Sequence, residues 1–155
     1  MAPPTPPSLH EAPAAAAAGA STDPIAVVRA FLDALERLDV DAALACCHPD
    51  VVYQNVPLPP ARGRDAVAEQ LGVMTRYAKG FRVDWINVAA NGPVVLTERT
   101  DIITIGPVAG GFWVCGTFEV HDGRITLWRD RFDWIDFGFS WVRGGAKAVL
   151  RTLRG

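Results

Sequence analysis

From Phe81 to Asp133 the apolar residues follow a period of two rather than the helical 3.6, so this half of the chain reads as sheet. Phe81, Val83 and Trp85 alternate with Arg82 and Asp84, the pattern of a half-buried strand. Longer strands are predicted over residues 93–106, 111–121 and 124–133, and the Asp122-Gly123 pair between the last two suits a tight hairpin turn. A sheet of this kind has an apolar face that something must cover.

The first half of the chain supplies the cover. Asp23 is a good helix N-cap and Pro24 suits the first helical position. Ile25, Val28, Phe31, Leu32, Leu35 and Leu38 then recur at helical spacing. A short second helix is expected over 40–47, ended by Pro49-Asp50, and a strand over 51–56. Pro57-Leu58-Pro59-Pro60 reads as a stiff irregular loop, and a third helix over 64–79 closes at Gly80. After the last strand, Gly138, Gly144 and Gly145 interrupt an apolar stretch, which reads as a broken terminal helix over 134–141 and 146–153. The expected fold class is α+β: a curved mixed, mostly antiparallel sheet forming a cone, packed with three to four helices around a deep apolar pocket.

Residues 1–20 stand apart. They hold Pro3, Pro4, Pro6, Pro7 and Pro13 and the alanine run 14–18, with Glu11 as their charged residue. No hydrophobic period runs through them, and prolines stand where a signal peptide needs a basic start and an apolar core. The reading is a disordered Pro/Ala-rich arm followed by a single domain over 21–155.

Charge and cysteine usage exclude whole classes. Lys plus Arg is 15 against 17 for Asp plus Glu, which leaves no basic footprint for a nucleic-acid backbone. No apolar run approaches the roughly 18–20 residues of a membrane span. The three cysteines form no CxxC spacing, against a disulfide framework or a zinc site and in keeping with a reducing cytoplasm. A small globule that binds or transforms a small molecule remains.

Polar side chains on the strands carry what chemistry there is. Tyr53 and Asn55 share a strand face, as do Arg99 and Asp101, which stand with Val95, Thr97, Ile103 and Ile105. Asp130 shares its face with Thr126, Trp128 and Phe132. Charges among large apolar residues are costly unless paired. Parity alone leaves the choice open, because the opposite face around Glu98 carries Val94, Leu96 and Ile102. On pattern alone, Arg99–Asp101 reads as a surface ion pair and Arg129-Asp130-Arg131 as a solvated charge run. His10, His48 and His121 lie in the arm, at a helix end and at a hairpin turn, which gives a Ser/His/Asp route no support. Cys46 and Cys47 read as small buried hydrophobes.

Three segments shift that balance. Tyr53-Gln54-Asn55-Val56-Pro57-Leu58-Pro59-Pro60 with Gly63-Arg64-Asp65-Ala66-Val67, then Thr97-Glu98-Arg99-Thr100-Asp101, then Gly123-Arg124-Ile125-Thr126 leading into Trp128-Arg129-Asp130 and Phe132-Asp133, resemble in order the limonene-1,2-epoxide hydrolase family. Val56, Arg131 and the Arg-rich stretch after Trp134 depart from the limonene enzyme. Phe112-Trp113-Val114-Cys115-Gly116 with Asp122-Gly123-Arg124 resembles the mycobacterial branch, associated with bulkier, sterol-like or lipid epoxides.

The resemblance implies a nuclear-transport-factor-like cone and a cofactor-free, metal-free hydrolase that adds water to an epoxide. Asp101 would be the general acid and Asp130 the general base, with Arg99 between them and with Tyr53 and Asn55 holding the water. Leu32, Leu35, Met74, Ile103, Phe112, Val114, Phe132 and Phe137 have the parity to line the cone. Such a wall favours bulky apolar epoxides (terpenoid, alicyclic or sterol-like). Trp113 and Cys115, on the opposite face, fit a homodimer formed through the outer sheet surface. The same fold also hosts isomerases, cyclases and non-catalytic binding modules. An isomerase needs one base and an oxyanion donor, and a binding module has no reason to bury Arg99 between carboxylates.

Overall fold

In the computed structural model, which describes residues 22–154, six strands form one curved sheet in the order β2-β1-β6-β5-β4-β3. The elements run α1 (Pro24–Glu36), α2 (Val40–Ala45), β1 (Cys47–Asn55), β2 (Ala61–Arg62), α3 (Arg64–Tyr77), β3 (Gly80–Asn91), β4 (Val94–Ile105), β5 (Val108–His121), β6 (Arg124–Arg131) and α4 (Trp134–Arg154). β1 runs parallel to β6 and every other pair is antiparallel, so the sheet is mixed and mostly antiparallel as expected. It curves without closing, because β2 and β3 remain as edges. The expected arm, 1–20, lies outside the described residues.

Local chemistry explains the first elements. Asp23 accepts a hydrogen bond from the Ile25 amide at 3.2 Å, and Pro24 opens α1. α1 buries Val27, Val28, Phe31, Leu32, Ala34 and Leu35 against the sheet. Leu38 lies beyond the helix, at a positive φ of 56°, and Asp39 then caps α2 through the Ala42 amide. The core continues through Val51, Val67, Val95, Phe118 and Ile125.

Several boundaries differ from the sequence reading. α2 stops at Ala45 and Cys47 already pairs with Ile125 of β6, so Pro49-Asp50 sits in an irregular stretch of β1 rather than ending a helix. Ala61–Arg62 forms a short strand on β1 just after the proline loop. α3 ends at Tyr77, and Gly80 belongs to β3, which itself runs on to Asn91.

The largest correction concerns the C-terminal stretch, which is one continuous helix of 21 residues. Gly144 is where α4 crosses β5 most closely: a Cβ there would overlap the Ala109 carbonyl oxygen. Gly110 performs the reciprocal service on β5, where a Cβ would lie 3.0 Å from the Trp141 ring. These glycines permit contact between helix and sheet and do not break the helix.

Candidate active site

The site begins with a gap in β5. Thr97 on β4 and Asp130 on β6 are both register partners of Gly116, which lies between them. Strands two apart in a sheet are separated by about 9–10 Å, too far for neighbouring side chains to meet across an ordinary residue. At Gly116 the missing side chain leaves room for the Arg99 guanidinium to lie across β5 and reach both neighbours. A Cβ at that position would overlap Arg99 Nη1 and lie 2.5 Å from Thr97 Oγ1 and 2.8 Å from Asp130 Oδ1.

Arg99 is fully buried and spends its donors in that space. Nε donates to Asp101 Oδ1 at 2.9 Å, Nη1 to Thr97 Oγ1 at 2.8 Å, and Nη2 to Asp130 Oδ2 at 2.7 Å and to Asp101 Oδ2 at 3.2 Å. Burial opposes its charge, but the carboxylates of Asp130 and Asp101 outweigh burial and hold it more firmly protonated than a free arginine. The pair along β4 is therefore interior, and Asp130 is buried between a half-buried Arg129 and an exposed Arg131. Neither the surface ion pair nor the solvated charge run describes these residues.

The two carboxyl groups differ. Burial pushes Asp101 up to about 6; the Arg99 charge pulls it back and the Asp130 charge adds to the rise. On Asp130, Oδ2 also accepts from Trp128 Nε1 at 2.8 Å, whereas Oδ1 is buried with no hydrogen-bond partner among the described residues. Buried carboxylate oxygens are rarely left so.

β1 brings the remaining polar groups. Its parallel register sets Tyr53 beside Trp128 and Asn55 beside Asp130. Asn55 Nδ2 donates to Tyr53 Oη at 2.6 Å, and the Tyr53 ring stacks on Trp128 at 3.8 Å between centroids. Burial, then the Asp130 charge, raises the Tyr53 phenol above its usual range, so it keeps its proton and, having accepted from Asn55, can donate it.

These five side chains stand around one cavity of about 310 Å³. All eight apolar residues named from parity line it too: Leu32 and Leu35 from α1, Met74 from α3, Ile103 from β4, Phe112 and Val114 from β5, Phe132 after β6, and Phe137 from α4. Phe112, Phe132 and Phe137 pack on one another with centroids 4.8–5.7 Å apart, a single aromatic wall. Gln70, Leu71, Val73, Phe81, Trp128 and Trp134 also line the cavity and were not read from the sequence. Trp128 shared the Asp130 face, which was a usable signal. Thr97 shared the Arg99 face in the same way, whereas Gly116 had no such signal, since its part depends on strands paired across the sheet. Among the described residues no group of three or more His, Cys, Asp or Glu side chains could hold a metal ion. His48 and Asp50 pair at the surface, Cys47 is buried, and burial pushes its thiol up to about 12.

Chemically, the arrangement offers a proton donor and a proton acceptor on one fixed cation, facing a small apolar space. Residues 22–143 match the family model described as the limonene-1,2-epoxide hydrolase catalytic domain. The chain is 46% identical over 127 residues to epoxide hydrolase EphG of Mycobacterium tuberculosis, covering 82% of this chain and 85% of that protein. A solved structure of an M. tuberculosis LEH-like epoxide hydrolase superposes with a TM-score of 0.78 at 45% identity, covering 84% of this chain and 97% of the other. An NTF2-like protein of unknown function from Burkholderia pseudomallei gives a TM-score of 0.69 at 17% identity, over 78% and 98% of the two chains, a likeness of fold alone.

Proposed function

The chain belongs to the limonene-1,2-epoxide hydrolase family and is an epoxide hydrolase, and from that premise we propose that it adds water directly to a bulky apolar epoxide, with Asp101 as acid and Asp130 as base. The observation that carries this reading is the asymmetry of two carboxyl groups on one guanidinium. Asp101 has a raised proton affinity, and Asp130, the register partner of Asn55, keeps a buried oxygen with no protein donor among the described residues.

In the step so read, a water molecule donates one proton to the Asp130 carboxylate while its oxygen forms a bond to one epoxide carbon. The C–O bond on the far side of that carbon breaks as Asp101 gives its proton to the ring oxygen. The product is a vicinal diol. Asp130 ends protonated and Asp101 ionised, so one proton must pass from the first to the second, or exchange with solvent, before the next turnover. Tyr53 donates to the water and Asn55 accepts from it, which fixes the direction of attack. Arg99 remains charged throughout and holds both carboxyl groups in place.

The cavity wall supports the substrate class proposed here. Phe112, Phe132, Phe137 and Met74 offer no hydrogen bonds to a hydroxyl-rich or charged epoxide, and each buried methylene of an apolar one contributes roughly 0.8 kcal/mol. We propose also that two copies pair through the outer sheet face, where Leu96, Trp113 and Cys115 are exposed.

Asp101→Asn and Asp130→Asn test the acid and base roles. Each is expected to lower kcat by about 10²–10⁴-fold with the near-ultraviolet circular dichroism unchanged. Near-normal turnover by either folded variant removes that residue from the reaction.

A further inference from the structure

α4 packs one side on β5 and turns the other to solvent. Phe137, Trp141 and Gly144 face the sheet or cavity, whereas Ile135, Phe139, Val142, Val149 and Leu153 recur on one face at spacings of three, four and seven and are all exposed, Ile135 at 71% and Leu153 at 77%. With Leu150 they leave on the order of 600 Å² of apolar surface in water, the upper end of what a monomer exposes. Arg143, Lys147 and Arg151 are exposed on the same helix, and between Asp136 and Arg154 it carries no acidic residue. Asp136 itself is already paired with Arg143 at 2.8 Å.

Charge selects the occupant. A second copy of α4 would set Arg143, Lys147 and Arg151 against their own like, an arrangement that costs free energy. An apolar stripe with Arg143, Lys147 and Arg151 in a row along one side of it, Arg151 also donating to the Pro107 carbonyl at 3.4 Å, fits the boundary between the acyl chains and anionic headgroups of a bilayer. No helix among the described residues is long and apolar enough to cross a membrane, so such a helix would lie on the surface. The cavity also opens next to this element. Trp134 begins α4, lines the cavity and is exposed, and Val73 on α3 both lines it and is exposed.

We propose that the outer face of α4 docks on a membrane surface carrying anionic lipids, which sets the cavity mouth where an apolar epoxide can enter from the lipid. The docking rests on α4 alone, and the delivery of substrate rests on the apolar-epoxide reading above.

Flotation of the full chain with phosphatidylcholine vesicles, with and without phosphatidylglycerol, tests it. Binding is expected to the anionic vesicles, weakened by salt and reduced roughly fivefold by each of Lys147→Gln and Arg151→Gln. Val142→Glu with Leu153→Glu, both exposed and outside the cavity, should reduce binding at least tenfold. That variant should leave kcat/KM on an alicyclic epoxide dissolved in buffer unchanged and lower the rate on an apolar epoxide carried in the vesicles. Failure to float with either vesicle, or flotation unaffected by the Val142/Leu153 change, overturns the docking. So does a self-associated chain that the double change converts to monomers without any vesicle binding, since α4 would then be a seam between copies. Flotation without hydrolysis of any apolar epoxide leaves the docking intact and removes the substrate reading.

Discussion

Asp101 and Asp130 hang from the same guanidinium, and their difference should be visible in the pH dependence of the enzyme. A general acid must be protonated in the free enzyme, so kcat/KM should fall as pH rises through about 6, where burial has placed Asp101. Folding stability should move the same way. A carboxyl that holds its proton more tightly when folded binds more protons in the native state between about pH 4 and 6, so stability falls as pH rises through that window, by roughly 2–3 kcal/mol from this group. Comparing chemical denaturation of the wild type and Asp101→Asn across this range isolates the contribution. Wild-type stability should fall relative to the variant as pH rises; a rise relative to the variant would reverse the assignment. The residue types and their shared faces were legible in the sequence; their burial was not. Val94, Leu96 and Ile102 made the opposite face of β4 equally credible as the core side. The ladder decides, because only the Arg99 face lies over Gly116.

At the scale of the element, β5 matters for what it lacks. Gly116→Ala places a methyl group in the space used by Arg99 Nη1, Thr97 Oγ1 and Asp130 Oδ1, and the first two cannot retreat without losing the hydrogen bond between them. We expect a loss of about 1–3 kcal/mol in stability and on the order of 10²-fold in kcat/KM, as expected when a positioned group is displaced. Gly145→Ala is the contrasting case. A Cβ there meets nothing, and exchanging a helical glycine for alanine should stabilise the protein by about 1 kcal/mol. Thermal unfolding and kinetics of the two variants should therefore separate. If Gly116→Ala keeps full activity, the gap in β5 has no part in the site. Gly144 and its counterpart Gly110 explain why the C-terminal stretch is one helix where glycine content alone predicts a break. Glycine is a helix breaker by propensity, but at Gly144 closeness to Ala109 outweighs propensity, and a single sequence does not show what a helix will lie against. Periods of two and of 3.6 were clear for the long strands and for α1. The boundaries at Cys47, Ala61 and Tyr77 depended on pairing partners that are distant in the chain.

For the whole molecule, the question is what the cavity admits. Its proton-transfer groups gather at Arg99, while three phenylalanines packed on one another and Met74 supply much of the remaining wall. Affinity should rise with the carbon count of the epoxide until the space is full, and kcat/KM measured over a series of increasing ring size should rise and then drop. Phe112→Ala or Phe137→Ala should move the maximum toward larger rings without altering the pH profile. A flat series, or a preference for small polar epoxides, would mean that these phenylalanines are ordinary core.

The account depends on water attacking the epoxide directly while two aspartates exchange protons with the reactants. Single-turnover hydrolysis in heavy-oxygen water, followed by mass analysis of both the diol and the protein, tests this most directly. Every diol formed should carry one labelled oxygen, and peptides containing Asp101 and Asp130 should stay unlabelled. Unlabelled diol together with label in either carboxyl group would reveal a covalent ester and contradict the mechanism.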